Sequence, residues 1–261
     1  MPHRRSSVAA VVALAIVTVA CSAPSPTPGG SGSGGAGTTS TAASTLKPLV
    51  APRPTDIPVD GTCEQNQICL GLLKPGVTYR TKNFEPTISF RVESAQWENL
   101  SMETGVVQLQ DITHPGDVIA FFRHPRAADD NGTIPTVGDS VGDLTTWLES
   151  NSELTATRAT KTSLGGLSGM VLEARIADGV TDRGSPDCPT RVCVPFFRGS
   201  DPNAKPPWQW DWGFAGPESA RIFLLTSKDG VIAVLVDAHD RSTYDSLNQA
   251  ADGIFKTLKF G

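Results

Sequence analysis

Apolar and polar residues alternate from Thr87 to Glu93, placing Ile88, Phe90 and Val92 on one side, which is the period of a half-buried strand. The runs VVQLQ from Val106 and DVIAFFR from Asp117 read as two further strands. Upstream, CLGLLKPGVTYRT predicts two short apolar strands around Lys74-Pro75-Gly76, where Pro then Gly fits the middle of a type II turn. The period changes after residue 140. Ser140-Val141-Gly142-Asp143 has capping-box spacing, and Val141, Leu144, Trp147 and Leu148 fall on one helical face. LTATRATKTSL, Gly165-Gly166 and LSGMVLEARI predict a hairpin. RIFLLTS, Lys228-Asp229-Gly230 and VIAVLVDA predict a second, with Asp-Gly at its tight turn. A second capping box, Ser242 to Asp245, opens the last element, and Leu247, Ala251, Ile254, Phe255 and Leu258 form its apolar stripe. Antiparallel hairpins with two clear helices predict an α+β domain, an antiparallel sheet flanked by a few helices.

The first residues belong to a different class. Arg4 and Arg5 precede an apolar run from Val8 to Val19, far short of the ~20 residues a spanning helix needs. This is the plan of a signal peptide. Its end, Thr18-Val19-Ala20-Cys21, resembles a bacterial lipobox, with Thr18 where Leu is usual. The resemblance implies cleavage after residue 20 and acylation of Cys21, and acyl chains at ~0.8 kcal/mol per buried methylene hold a protein on a membrane. Residues 22–46 contain no charged or aromatic side chain, and the following stretch to residue 57 is Pro-rich. Residues 21–57 are therefore expected to be a disordered tether with a reach of about 30 Å. The organisation expected is signal peptide 1–20, lipid-anchored linker 21–57 and one globular domain 58–261, placed on the extracytoplasmic face of the membrane.

Charge excludes one class of partner. Without Arg4 and Arg5 the chain carries 20 basic against 27 acidic side chains, a net charge of −7, which argues against nucleic acid. Of five cysteines, Cys21 is reserved for lipid, leaving Cys63 and Cys69 in CEQNQIC and Cys188 and Cys193 in CPTRVC. An even number outside the cytoplasm predicts disulfides, with the two local pairs favoured because each lies in a turn-rich stretch. A four-thiolate zinc site is disfavoured by the five-residue spacing in CEQNQIC. No metal or cofactor is expected.

Gly138-Asp139-Ser140-Val141-Gly142 fits the nucleophile elbow G-x-S-x-G, and Asp211 or Asp237 with His239 would complete a triad in chain order. That chemistry needs repeated βαβ units, which the hairpins deny, and Ser140 already has a role as a helix cap. His114, His124 and His239 lack metal-ligand spacing, and Asp129-Asp130-Asn131-Gly132 lacks the ligand alternation of a calcium loop and reads as a solvated turn. No catalytic residue is assigned. The least ordinary stretch is PPWQWDWGF: if extended, it puts Trp208, Trp210 and Trp212 on one face and Gln209 and Asp211 on the other. Exposed, those indoles would be a ligand-binding platform for sugar rings or an apolar partner; turned inward, they would cover the sheet.

The order GVTYRTKNFEPTISFRV to Trp97, LGGLSGMVLEARI, and RIFLLTSKDGVIAVLVDA followed by a helix ending FKTLKF resembles the Mog1/PsbP-like fold. Secreted actinobacterial lipoproteins related to LpqN belong to that family. The resemblance implies an antiparallel sheet sandwiched with helices and a binding or accessory role without catalytic residues. The function expected is a surface-anchored, non-catalytic module for an envelope glycan, lipid or protein partner. The alternatives are a serine hydrolase using Ser140 and a purely structural lipoprotein.

Overall fold

The computed structural model describes residues 70–261 except 102–104, 183–191 and 202–207; the side chains of Asp201 and Trp208 also fall outside that description. The signal peptide, Cys21, the tether, Cys63, Cys69 and Cys188 therefore lie outside the described residues. Among the described residues no helix is long and apolar enough to cross a membrane.

The elements run β1 (Gly71–Leu72), β2 (Thr78–Arg80), β3 (Ile88–Arg91), β4 (Trp97–Asn99), β5 (Val106–Asp111), β6 (Val118–Arg123), β7 (Arg126–Asp129) and β8 (Gly132–Thr133). Then follow α1 (Val141–Ser150), β9 (Leu154–Ala156), β10 (Thr160–Leu164), β11 (Leu167–Ile176), β12 (Cys193–Asp201) and β13 (Trp208–Ala215). The chain closes with β14 (Ser219–Ser227), β15 (Gly230–Ala238), α2 (Tyr244–Phe255) and β16 (Lys259–Phe260). This is the expected α+β class.

A nine-stranded sheet, ordered β1-β4-β5-β6-β15-β14-β11-β10 with β9 also on β11, forms the centre. Its pairings are antiparallel throughout. Two smaller sheets cover it, β13-β12-β7-β8 and β16-β3-β2. The apolar run of β15 is unbroken because both its faces are covered. Ile232, Val234, Val236 and Ala238 enter a core with Ile88 and Phe90 of β3 and with Leu247, Ala251 and Ile254 of α2. Val231, Ala233 and Leu235 enter a second core with Leu144 and Leu148 of α1 and with Phe196, Phe197, Trp210 and Phe214 of β12 and β13. At about 1.5–3 kcal/mol per large apolar side chain, these two faces are the main favourable contribution to folding.

Local chemistry sets the turns. Gly76 has φ +77°, and the Val77 amide donates to the Lys74 carbonyl, as a type II turn requires. Its flanking strands part company, however: β1 pairs with β4 and β2 with β3, so the Pro-Gly turn is a crossing between sheets, not a hairpin. Gly165 and Gly166, at φ +58° and +92°, join β10 to β11 in the two-residue hairpin expected there. The β14–β15 hairpin turns at Lys228-Asp229, with Ser227 opposite Gly230. Ser140 caps α1 as its spacing demands, accepting from the Asp143 amide at 3.1 Å.

The second capping box does not form. The cap of α2 is Thr243, not Ser242, and it makes no capping hydrogen bond. Its hydroxyl donates instead toward Asp117 Oδ1 and the Asp240 carbonyl, a tertiary contact that displaces the local one. The helix also stops at Phe255, and Lys259-Phe260 turn back to pair with β3.

In β12 the register shifts between Pro195 and Phe197, so the consecutive Phe196 and Phe197 are both fully buried. Gly199 lies opposite Trp210, and a Cβ on it would stand 2.3 Å from the indole. Gly199→Ala is expected to displace Trp210 and lower stability by about 1–3 kcal/mol, read as a lower urea midpoint with unchanged slope. An unchanged midpoint would show that the Trp210 seat is not tight.

Candidate functional site

The tryptophan segment is a strand, and its polar face is the one turned out: Gln209 and Asp211 are exposed. Trp210 is 7% exposed and stacks on Phe122 of the central sheet, ring centroids 4.1 Å apart. Trp212 is half-buried against the same ring at 4.9 Å. The expectation of an open indole platform is thus corrected at Trp210, which supplies core; an indole laid over Gly199 and against Phe122 removes more apolar area from water than one standing in solvent. Only the backbone of Trp208 is described.

What lies beside that segment is a polar cleft of about 740 Å³. β12 offers Arg198 and Ser200 to it, the β7–β8 hairpin Arg126 and Thr133, the start of α1 Asp139 and Ser140, and the β14–β15 turn Thr226 and Ser227. Each arginine is already ion-paired, Arg126 with Asp139 and Arg198 with Asp211, its neighbour across the strands. The hydroxyls of Thr133, Ser200 and Thr226 meet no hydrogen-bond partner among the described residues. His124 also lines the cleft. It holds φ +50°, alone among the described non-glycine residues in having positive φ, where the chain leaves the central sheet for β7. Its amide donates to the Val231 carbonyl, fixing the corner.

Ser140 sits in this cleft but lacks the geometry of an elbow. Its φ −78° and ψ 159° are relaxed, no strand leads into it, and its hydroxyl donates to Asp143 Oδ2. The proposed triad partners are scattered. Asp211 holds Arg198, Asp237 accepts from Trp212, and His239 faces Glu218 at 3.3 Å. His239 follows the far end of β15, whose other end lines the cleft, a separation of roughly 25 Å along nine residues. His114 lies near Asp111, at 3.5 Å. Among the described residues no cluster with metal-ligand character occurs. Asp129-Asp130-Asn131-Gly132 is the β7–β8 turn, with the Asn131 amide donating to Asp129 Oδ1. Cys193, at the start of β12, is disulfide-bonded.

Opposite the cleft, Asp237 ends the apolar run of β15. Its Oδ2 accepts from Trp212 Nε1 at 2.8 Å, and its buried Oδ1 has no partner among the described residues. Burial, then the neighbouring Glu218, push this carboxyl well above the ordinary carboxylate range, with the Trp212 hydrogen bond opposing and Asp117 adding to the rise. An acid at the end of so apolar a strand was the visible signal; its partner Trp212, 25 residues earlier, was not.

Two outcomes follow. A carboxyl raised on folding binds its proton more tightly in the native chain, so stability falls as pH climbs from the ordinary carboxylate value to the raised one and is level above it. Asp237→Asn should remove that fall, stabilising the domain near pH 7 by on the order of 1 kcal/mol and not at pH 3, measured by urea melts at both. A destabilised Asn variant at pH 7 would mean that the carboxylate is ionised and required. Ser140→Ala should cost ~1 kcal/mol by loss of the cap; a serine-directed probe labelling Ser140 would contradict that assignment.

No protein-family model and no curated protein matches the sequence. Among solved structures, the chain is similar to the solution structure of cyanobacterial PsbP (CyanoP) from Synechocystis sp. PCC 6803. That similarity has 12% identity and a TM-score of 0.38, covering 77% of this chain and 98% of that one. It is also similar to the crystal structure of LpqN, involved in cell envelope biogenesis of Mycobacterium tuberculosis. Here identity is 14% and the TM-score 0.35, covering 71% of this chain and 85% of that one.

Proposed function

We propose that the chain is an exported lipoprotein, anchored through Cys21 and standing off the membrane on residues 21–57, that acts as a non-catalytic binding or accessory module for an envelope component. The observation that carries the binding role is the cleft between β12, the β7–β8 hairpin and the β14–β15 turn. It is large enough for a small-molecule-sized group, and the exposed hydroxyls of Thr133, Ser200 and Thr226 meet no partner among the described residues. Its two arginines are offset by carboxylates, so it favours a polar ligand of little net charge over a strong anion. Ser140, the nucleophile of the hydrolase alternative, is held as a cap by Asp143 on both its donor and acceptor sides. The anchor rests on the lipobox-like Thr18-Val19-Ala20-Cys21 and the short apolar run before it.

Thr226 is exposed on the cleft wall, so Thr226→Trp fills the space without touching the core. Measured on chains that lack the acyl group and carry Trp147→Ala, so that neither the anchor nor the aromatic face of α1 contributes, retention on isolated cell-wall polysaccharide and on vesicles of extracted envelope lipid should drop at least tenfold when Thr226→Trp is added. Equal retention would remove the cleft from the function, and no retention of the wild type on either material would favour the purely structural role. In parallel, the wild-type chain should carry acyl mass on Cys21 that Cys21→Ala lacks; an unacylated wild type overturns the anchor.

A further inference from the structure

Trp147 was expected on the apolar face of α1, and one edge of it is there: its ring lies 6.4 Å from Phe197, tilted by 35°. The rest is not buried. Trp147 is only half-covered, and its indole N–H meets no hydrogen-bond partner among the described residues. It lines a second cleft, of about 400 Å³, at the opposite end of α1 from Ser140. Ile134 and Pro195 continue the apolar floor beside the indole. The rim comes from two turns, Asp129, Asp130 and Asn131 between β7 and β8, and Ser150 to Glu153 between α1 and β9.

The rim is fixed by its backbone, and the side chains of Asn131, Asn151 and Ser152 keep polar atoms that meet no partner among the described residues. Asn131 uses its backbone amide to close the turn on Asp129, leaving its carboxamide without a partner among the described residues. Asn151 uses Oδ1 to accept from the Glu153 amide, leaving its Nδ2 to donate, and the Ser152 hydroxyl has no partner in that set. An aromatic face flanked by apolar atoms and ringed by amide and hydroxyl groups matches one kind of ligand. A pyranose ring has an apolar C–H face and an equatorial belt of hydroxyls. The carboxylates of Asp129, Asp130 and Glu153 repel phosphate and sulfate, and the polar rim leaves a hydrocarbon chain uncovered. We infer that the Trp147 cleft is a binding site for a neutral sugar ring, the indole stacking on its C–H face while Asn131, Asn151 and Ser152 take its hydroxyls. The site is separate from the cleft that carries the proposed function: they share no lining residue.

The test uses the full mature chain labelled with 15N at its indoles and a panel of soluble glucan, mannan, galactan and arabinan oligomers. The Trp147 indole N–H resonance is assigned by its disappearance in Trp147→Phe. It should shift on titration with at least one of the neutral oligomers, and Asn131→Ala, at an exposed turn position, should weaken that binding at least fivefold without altering the fold. Trp147→Ala should weaken it at least tenfold. Trp147→Phe should bind between the two, because a smaller ring keeps part of the stacking area. Thr226→Trp, which fills the other cleft, should bind the oligomers as the wild type does; loss in that variant assigns the sugar to the first cleft and overturns this site. A Trp147 resonance unmoved by every oligomer overturns it too, as does a shift with tetramethylammonium or calcium and with no sugar, which would make the site cationic.

Discussion

The domain depends on β15 being covered on both faces. An antiparallel sheet with one wet face needs only every second residue to be apolar, and most of this sheet's other strands retain such polar positions. β15 retains none from Val231 to Val236, because α2 and β3 press on one side and α1 with the second sheet on the other. The consequence reaches every other element. α1 and α2 need only short apolar stripes, since each meets a face already completed by strands, and the small sheets need only one apolar face each. Remove either cover and one alternate set, Ile232, Val234, Val236 and Ala238 or else Val231, Ala233 and Leu235, would confront water.

The second sheet is attached to this centre by aromatic contact and by a polar link. Phe122, Trp210 and Trp212 form a stack between the sheets, with Gly199 admitting the indole of Trp210 and the irregularity after Pro195 turning two successive phenylalanines inward. Trp212 Nε1 to Asp237 is the polar link. Such an arrangement places the apolar side of β13 on the core and leaves its Asp211 to hold Arg198 at the rim of the cleft. The cleft thus owes its shape to the burial of the very tryptophans that looked like a ligand platform.

What was legible in the chain was what is decided locally. Pro75-Gly76 and Gly165-Gly166 each specify a backbone conformation within four residues and form as read, and Ser140 caps α1 as read, although the Asp143 carboxylate accepts from its hydroxyl and not from its amide. The period of Ile88, Phe90 and Val92 is equally local. What the sequence left open is decided across long separations: that β1 and β2 join different sheets, that Asp117 takes the hydroxyl of Thr243, and that the alternation of Trp210 and Trp212 faces inward. An alternating strand states that two faces differ and not which of them meets the core. The candidate clefts were less legible still, because they are assembled from β7, β12, α1 and distant turns that no spacing connects.

The corner at His124 sets folding against ligand contact at a single residue. Its left-handed backbone would be most at ease with Gly, and next with Asn or Asp, while a histidine there gives up roughly 1–2 kcal/mol. The same backbone turn is what points the chain from the central sheet into the second and carries an imidazole to the cleft wall. Any variant chosen for thermal robustness alone would tend to replace that imidazole with a smaller residue. Resistance to heat and the furnishing of the cleft are therefore opposed ends of one lever, and a thermostable descendant of this domain would be the one to inspect for lost recognition.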